Sequence, residues 1–305
     1  MNRRKFIKDV CLWTAGLTVA IPRFHIPEVF AGQVQNPTVA MSHGINYEAL
    51  VEKIISSLGG MQEFVKPGDK VVVKPNIGWD RSPELAANTH PLIIKALVEQ
   101  ALEAGASKVL VFDRTCNEER RCYHNSGIGD ALKSLKNKKV HYDYIDNRKF
   151  IPVDIAKGKS LTRWEIYRDA LEADSYINVP VAKHHGLSRL TLGLKNSMGV
   201  IGGRRGQLHH DLGQKLADLA TVIRPNLTVI DATRILLRNG PQGGDIKDVK
   251  ILDTLIASTD PVAADAYATT LFGLQPDAID STVAAYKMGL GEMDIKKMRL
   301  ITTSV

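Results

Sequence analysis

Cysteine is scarce in this sequence, with three among 305 residues. Cys11 lies in the N-terminal stretch treated below, which leaves Cys116 and Cys122, in Cys-Asn-Glu-Glu-Arg-Arg-Cys. An iron–sulfur cluster or a structural zinc held by cysteine alone takes four thiolates, so this chain builds neither unaided. The pair either closes a small disulfide, worth about 2 kcal/mol by loop entropy, or stays as two thiols, since spacing does not fix the Cα separation. Aromatic residues make up only 6%. The basic cluster Lys133, Lys136, Lys138 and Lys139 therefore has no stacking platform interleaved with it, and reads as a solvated helix end rather than a nucleic-acid patch. Long apolar runs are missing too. The longest, Val10 to Ile21, has 12 residues against the ~20 needed to span a bilayer. Familiar site motifs are also missing: no phosphate loop, no Gly-x-Gly-x-x-Gly after the first strand, no Gly-x-Ser-x-Gly elbow and no His-Glu-x-x-His. Nucleotide triphosphatase, ordinary dinucleotide dehydrogenase, α/β-hydrolase and zincin readings are excluded.

What is present begins with a charge surplus, a formal +7. The first 31 residues hold Arg3, Arg4, Lys5, Lys8 and Arg23 against Asp9 and Glu28, which leaves 35 basic and 31 acidic side chains for the remainder. The order of that segment is informative: a twin-arginine block, the apolar run, then Val29-Phe30-Ala31. It has the form of an export signal, with cleavage expected after Ala31. The expected partner is then the twin-arginine export machinery, which carries folded chains, and the expected location is periplasmic or otherwise exported.

Residues 32–305 read as one elaborated α/β domain. Helical periodicity runs from Asn46 to Leu58, from Pro91 to Ala104, near Ile128 to Leu135, from Asp211 to Ile223, and through Pro261 to Phe272 and Ala278 to Met288. Short apolar runs alternate with these at Val71–Val73, Lys108–Phe112, Val140–Ile145, Ser175–Val179, Leu227–Ile230, Lys250–Ala257 and Met298–Thr302. Such alternation predicts a mostly parallel, or mixed, sheet flanked by helices. Thr89 or Asn88 is expected to cap the helix that opens at Pro91.

Five of the apolar runs end in polar groups: Lys74-Pro75-Asn76, Asp113-Arg114, Lys183-His184-His185-Gly186, Asp231, and Ser258-Thr259-Asp260. Ligands of open parallel sheets bind outside the carboxyl ends of the strands, where these groups would converge. If Leu190 to Asn196 is extended, Thr191, Gly193 and Lys195 share a face. Lys74, Lys183 and Lys195 then present three cations to one pocket, which must hold an anion or carry a neutral lysine. Asn76 and Asn196 would orient that anion. The glycine-rich stretch from 199 to 206, with Gly203, Arg204 and Arg205, would close over it. His184 is the expected proton carrier beside Lys183 and Lys195. Adjacent residues of a strand point to opposite faces, so each histidine pair offers one inward imidazole. Asp113, His209 and Asp231 offer a set for a single metal ion.

These residues resemble the family called domain of unknown function 362. The resemblance is carried from about Val65 onward by Gly-Asp-Lys-Val-Val-Val-Lys-Pro-Asn (68–76), Thr89-His90-Pro91, Ala104-Gly105-Ala106, Asn178-Val179-Pro180, Lys183-His184, Thr191 with Lys195-Asn196, Asp231 with Gly240-Pro241, and Asp260 with Ala264-Asp265. It implies a fold and a shared pocket but no settled activity. Many relatives carry an added ferredoxin-like segment with iron–sulfur cysteines, which this chain lacks. Two functions fit: an exported enzyme or redox accessory that binds an anionic small molecule or cofactor, and a non-catalytic binding or assembly protein associated with a membrane redox complex.

Overall fold

A computed structural model describes residues 36–305; the expected export segment, residues 1–31, lies outside them. The chain enters at β1 (Thr38–His43) and α1 (Tyr47–Ser57), where the Asn46 side chain accepts from Ala49 N and so caps the helix. Next come β2 (Lys70–Pro75), α2 (Pro91–Glu103) and β3 (Lys108–Val111), a β-α-β unit with adjacent parallel strands. Then follow α3 (Glu119–Asn125), α4 (Ile128–Ser134) and β4 (Val140–His141), a strand of two residues where six were expected. A hairpin not foreseen from sequence, β5 (Phe150–Asp154) and β6 (Arg163–Tyr167), forms a separate small sheet. Only Ile166 and Tyr167 of its ten strand residues are buried and β5 contains Pro152, so it lacks the longer buried apolar run that marked the others.

The chain continues with α5 (Arg168–Leu171), β7 (Ser175–Val179), β8 (Val181–His185), β9 (Arg189–Thr191) and α6 (Gly193–Asn196). Residues 190–196 are thus not one extended segment: a strand end turns directly into a helical turn. The remaining elements are α7 (Leu212–Ala220), β10 (Leu227–Leu236), β11 (Val249–Ser258), α8 (Pro261–Thr269), α9 (Asp280–Lys287) and β12 (Arg299–Ser304).

The main sheet runs β12-β1-β11-β10-β7-β2-β3-β4, with β8 paired to β10 and β9. The block β10-β7-β2-β3-β4 is parallel, whereas β11 is antiparallel to both β10 and β1. The fold is therefore α/β with a mixed, mostly parallel sheet. Because Ser258 pairs with Thr228 at the start of β10, Ser258-Thr259-Asp260 leaves the sheet at the edge opposite the ends that carry Lys74, Asp113 and Lys183. Asp260 instead caps α8, accepting from Val262 N and Ala263 N.

Two layers cover the sheet. Period two on β2 sends Val71 and Val73 into a core with Leu50, Ile54, Ile93, Leu97 and Ile128, on the side of α1 to α4. Val72 faces the other way, among Leu110, Phe112, Tyr176, Ile166 and Leu216, under α7 and the hairpin. Chain direction on the sheet reverses about β2: β3 and β4 lie to one side and β7 to the other. That is a topological switch point, where the carboxyl ends of neighbouring strands part to leave a crevice.

Candidate functional site

Lys74 shares the face of Val72, and its side chain is 0% exposed. A cation so placed must be paired. Its Nζ lies 2.9 Å from Asp113 Oδ1, 2.9 Å from Asn196 Oδ1 and 2.7 Å from Pro75 O. The Asp113 contact is off-axis for a hydrogen bond, and Oδ1 has no other partner, but at that separation opposite charges form a strong pair. Asp113 Oδ2 accepts from Ile77 N at 2.6 Å. With Asn196 Oδ1, Pro75 O and the Asp113 carboxylate all within 2.9 Å, the Lys74 ammonium is enclosed by partners from its own chain. Burial pushes its pKa down, against the pull of Asp113. Gly199 lies so close that a Cβ there would overlap both Asp113 Oδ1 and Lys74 Nζ, which explains one glycine of the 199–206 stretch.

An amide relay extends from this pair. Asn196 Oδ1 also accepts from Asn76 Nδ2 (3.1 Å), and Asn196 Nδ2 donates to Asn178 Oδ1 (2.9 Å). Asn76 Oδ1 accepts from Lys183 Nζ (3.0 Å), which donates as well to Ala87 O. Ammonium groups only donate, and that fixes which amide oxygen faces which lysine. Lys183, 1% exposed, keeps one N–H unassigned. Lys195, on α6, donates only to Met198 Sδ at 2.9 Å, a weak acceptor, and keeps two. Neither lysine has a carboxylate partner among the described residues. Burial lowers Lys183 to about 7, with Cys116 and Asp113 opposing and Lys195 and Lys74 adding to the shift. Burial lowers Lys195 to about 8, helped by Arg205 and Lys74.

The turn bearing Lys195 and Asn196 is held by a group that sequence reasoning did not assign to the site. Asp265, on α8, accepts from Gly193 N (2.6 Å) and Leu194 N (2.9 Å), the first amides of α6. A Cβ on Gly193 would collide with that carboxylate. Burial raises Asp265 to about 7. Nothing near position 265 hints at this role, because the partner lies some 70 residues earlier.

The histidine placement corrects an expectation. Lys183 and His185 share a face of β8, and His184 takes the other, where its Nδ1 accepts from Gly240 N at 3.1 Å. Counting by two from Lys183 identifies His185. Its Nδ1 accepts from Leu187 N (3.1 Å) and Ser188 N (3.2 Å), so the ring proton sits on Nε2. Burial, with Lys195 and Lys183 adding to it, lowers its pKa to about 3. It is a neutral hydrogen-bond donor at physiological pH.

The expected metal set does not assemble. Asp113 is tied to Lys74. His209 stacks on His185 (centroids 6.3 Å) and contacts Gly206 O. Asp231 shares the parity of Leu227 and Val229, on the layer opposite Lys74, and accepts from His90 N (2.7 Å) and Thr233. Among the described residues no group of three His, Cys, Asp or Glu is placed to hold a metal ion. His90 itself, rather than Thr89 or Asn88, caps α2 through Nδ1, accepting from Leu92 N. Cys116 is an exposed free thiol and Cys122 a buried one, so they form no disulfide.

The glycine-rich stretch is pinned rather than open. Gly202 N donates to Glu165 O (2.8 Å), and Gly203 O accepts from the Arg114 guanidinium (3.1 Å). Arg205 turns inward and donates to Arg114 O, Thr115 O and Met198 O, joining the loop after β3 to the turn after α6. Arg204 is exposed.

Comparison with known proteins then places the chain. The family profile described as domain of unknown function (DUF362) matches residues 71–270. The chain belongs to this family. The DUF362 region opens in β2 and closes after α8, so it contains Lys74, Asp113, Lys183, Lys195 and Asp265. A Synechocystis protein named as thylakoid-associated is 28% identical over 273 residues, covering 83% of this chain and 80% of its own length. Two solved structures are similar at lower identity. One is a Thermotoga maritima protein (11% identity, TM-score 0.43, 74% of this chain and 59% of that one). The other is the lactate racemase apoprotein of Thermoanaerobacterium thermosaccharolyticum (13% identity, TM-score 0.44, 73% and 54%). This chain thus spans between half and two thirds of those two structures.

Proposed function

We propose that this DUF362 protein binds an anionic small molecule at the carboxyl edge of its sheet, held by Lys183 and Lys195. One observation carries the reading. The buried ammonium of Lys183 and the half-buried one of Lys195 lack a carboxylate and retain N–H groups, a costly arrangement that an anion would offset. Lys74, Asp113, Asn76 and Asn196 form the rigid base that aims Lys183, and Lys183, near 7, is suited to move a proton to or from the bound molecule.

Calorimetric titration with sulfate, phosphate and acetate tests this. Wild type is expected to bind at least one of them, and Lys183→Ala or Lys195→Ala to weaken binding by about tenfold, the effect of losing one charged hydrogen bond. Absence of binding by wild type, or equal binding by both variants, rules the site out.

An exported or membrane-associated location belongs to the same proposal, supported by the twin-arginine order of residues 1–31 and by the name of the Synechocystis relative. Cell fractionation of an Arg3→Lys, Arg4→Lys variant should find precursor retained in the cytoplasm; unchanged export refutes the route.

A further inference from the structure

Lys74, Lys183 and Lys195 differ in how their nitrogens are engaged, and the difference assigns them chemistry. An amine that condenses with a carbonyl gives up both N–H groups. On Lys74 this would withdraw the ammonium from Asp113, Asn196 Oδ1 and Pro75 O; on Lys183, from Asn76 Oδ1 and Ala87 O. Asn196 Oδ1 would keep Asn76 Nδ2, but Asp113 would lose its counter-charge, and Asn76 Oδ1 and Ala87 O would lose their lysine donor. On Lys195 it would release only the thioether of Met198. We propose that Lys195 is an imine-forming residue and that the ligand is a small 2-oxo acid whose carboxylate is held by Lys183. This rests on the anion-binding reading above and narrows its ligand to a class.

The step balances without a further reagent. The neutral Nζ attacks the carbonyl carbon, forming a C–N bond as the carbonyl π pair moves to oxygen. That oxygen takes up a proton, the nitrogen loses one, and the carbinolamine expels water to give C=N. Hydrolysis reverses the sequence, and nothing is oxidised or reduced. A mostly buried amine flanked by Lys74 and Arg205 is the kind of lysine that proteins use in this way. His185, with Nδ1 committed to two backbone amides, offers a neutral Nε2–H on the same face as Lys183.

The test is reductive trapping of the full chain with pyruvate and sodium cyanoborohydride, read by intact mass and peptide mapping. The expected result is one adduct per chain, on Lys195, with acetone, which lacks the carboxylate, labelling about tenfold more slowly. Labelling should increase from pH 6 to 9 as the amine loses its proton. Lys195→Arg should retain sulfate binding and lose the adduct, because guanidinium keeps the charge and forms no imine under these conditions. Adducts spread evenly over surface lysines, or equal rates for pyruvate and acetone, overturn the proposal. Binding of sulfate, phosphate or acetate with no adduct on Lys195 removes the imine and leaves anion binding standing; no binding of any of the three by wild type removes both.

Discussion

Lys74 and Asp113 form a buried pair whose two members depend on one another. Removing one partner leaves the other charged and unsolvated, at a cost of about 3–5 kcal/mol, whereas replacing both by apolar groups of similar volume is often near neutral. Asp113→Ala should therefore unfold at much lower urea, and Lys74→Met with Asp113→Leu should recover most of the loss; a double variant as weak as Asp113→Ala would mean that the pair itself stabilises the fold. Lys183 titrates in another sense. Near 7 folded and near its ordinary 10.5 unfolded, it leaves a window in which the unfolded chain holds a proton that the folded chain has released. Unfolding takes up that proton, so stability rises with pH from about 7 to 10.5. Lys183→Met should show a shallower rise in urea midpoint over that range. The thiols give a simpler contrast: iodoacetamide should label Cys116 in the native chain and Cys122 only after unfolding, since Cys122 is buried and its pKa is pushed up to about 11.

At the scale of elements, the short α6 is where position matters most, because one helical turn cannot hold itself. Asp265 supplies what it lacks. Asp265→Ala is expected to cost about 1–3 kcal/mol and to weaken sulfate binding, since Lys195 and Asn196 ride on that turn. Unchanged binding would show that the turn holds without its cap. The pH sign here is opposite to that of Lys183. With Asp265 raised to about 7, the folded chain keeps a proton that the unfolded chain sheds above 3.8, so this group's contribution falls as pH rises from about 4 to 7. The same scale explains what was legible. Lys74, Asn76, Asp113 and Lys183 stood out as polar groups at the ends of apolar runs, and they do meet, with Asn196 among them. Asp231 was misplaced because its apolar run continues to Leu236, so it lies inside β10 rather than at its end. For the histidine pair the sequence did carry the signal, since strand alternation from Lys183 reaches His185 and not His184. Lys195 joined the pocket through a helical turn, not the extended segment expected, and no local pattern distinguishes these over four residues.

For the whole molecule, the class of fold was readable from alternating helical and apolar periods, and the direction of β11 was not. Antiparallel return depends on the hairpin from β10, and its consequence, Asp260 at the far edge, appears only in three dimensions. The parallel block β7-β2-β3 is covered on both faces, whereas β4 and β12 are edges. Hydrogen exchange should be slowest in β2 and β7 and fastest among strands in β12, whose residues alternate between exposed and half-buried; equal protection of β12 and β2 would mean that its outer edge is covered in solution.

β1 is held between β11 and β12, partners about 210 and 260 residues further along the chain. A chain made from its N-terminus must keep Thr38–His43 unpaired while nearly everything else is synthesised. The parallel strands bearing Lys74, Asp113 and Lys183 need no main-sheet partner beyond β10 and can associate earlier. The pocket's strands are thus free to come together before the outer sheet closes, and β1 is the stretch most in need of protection while the chain waits for its end.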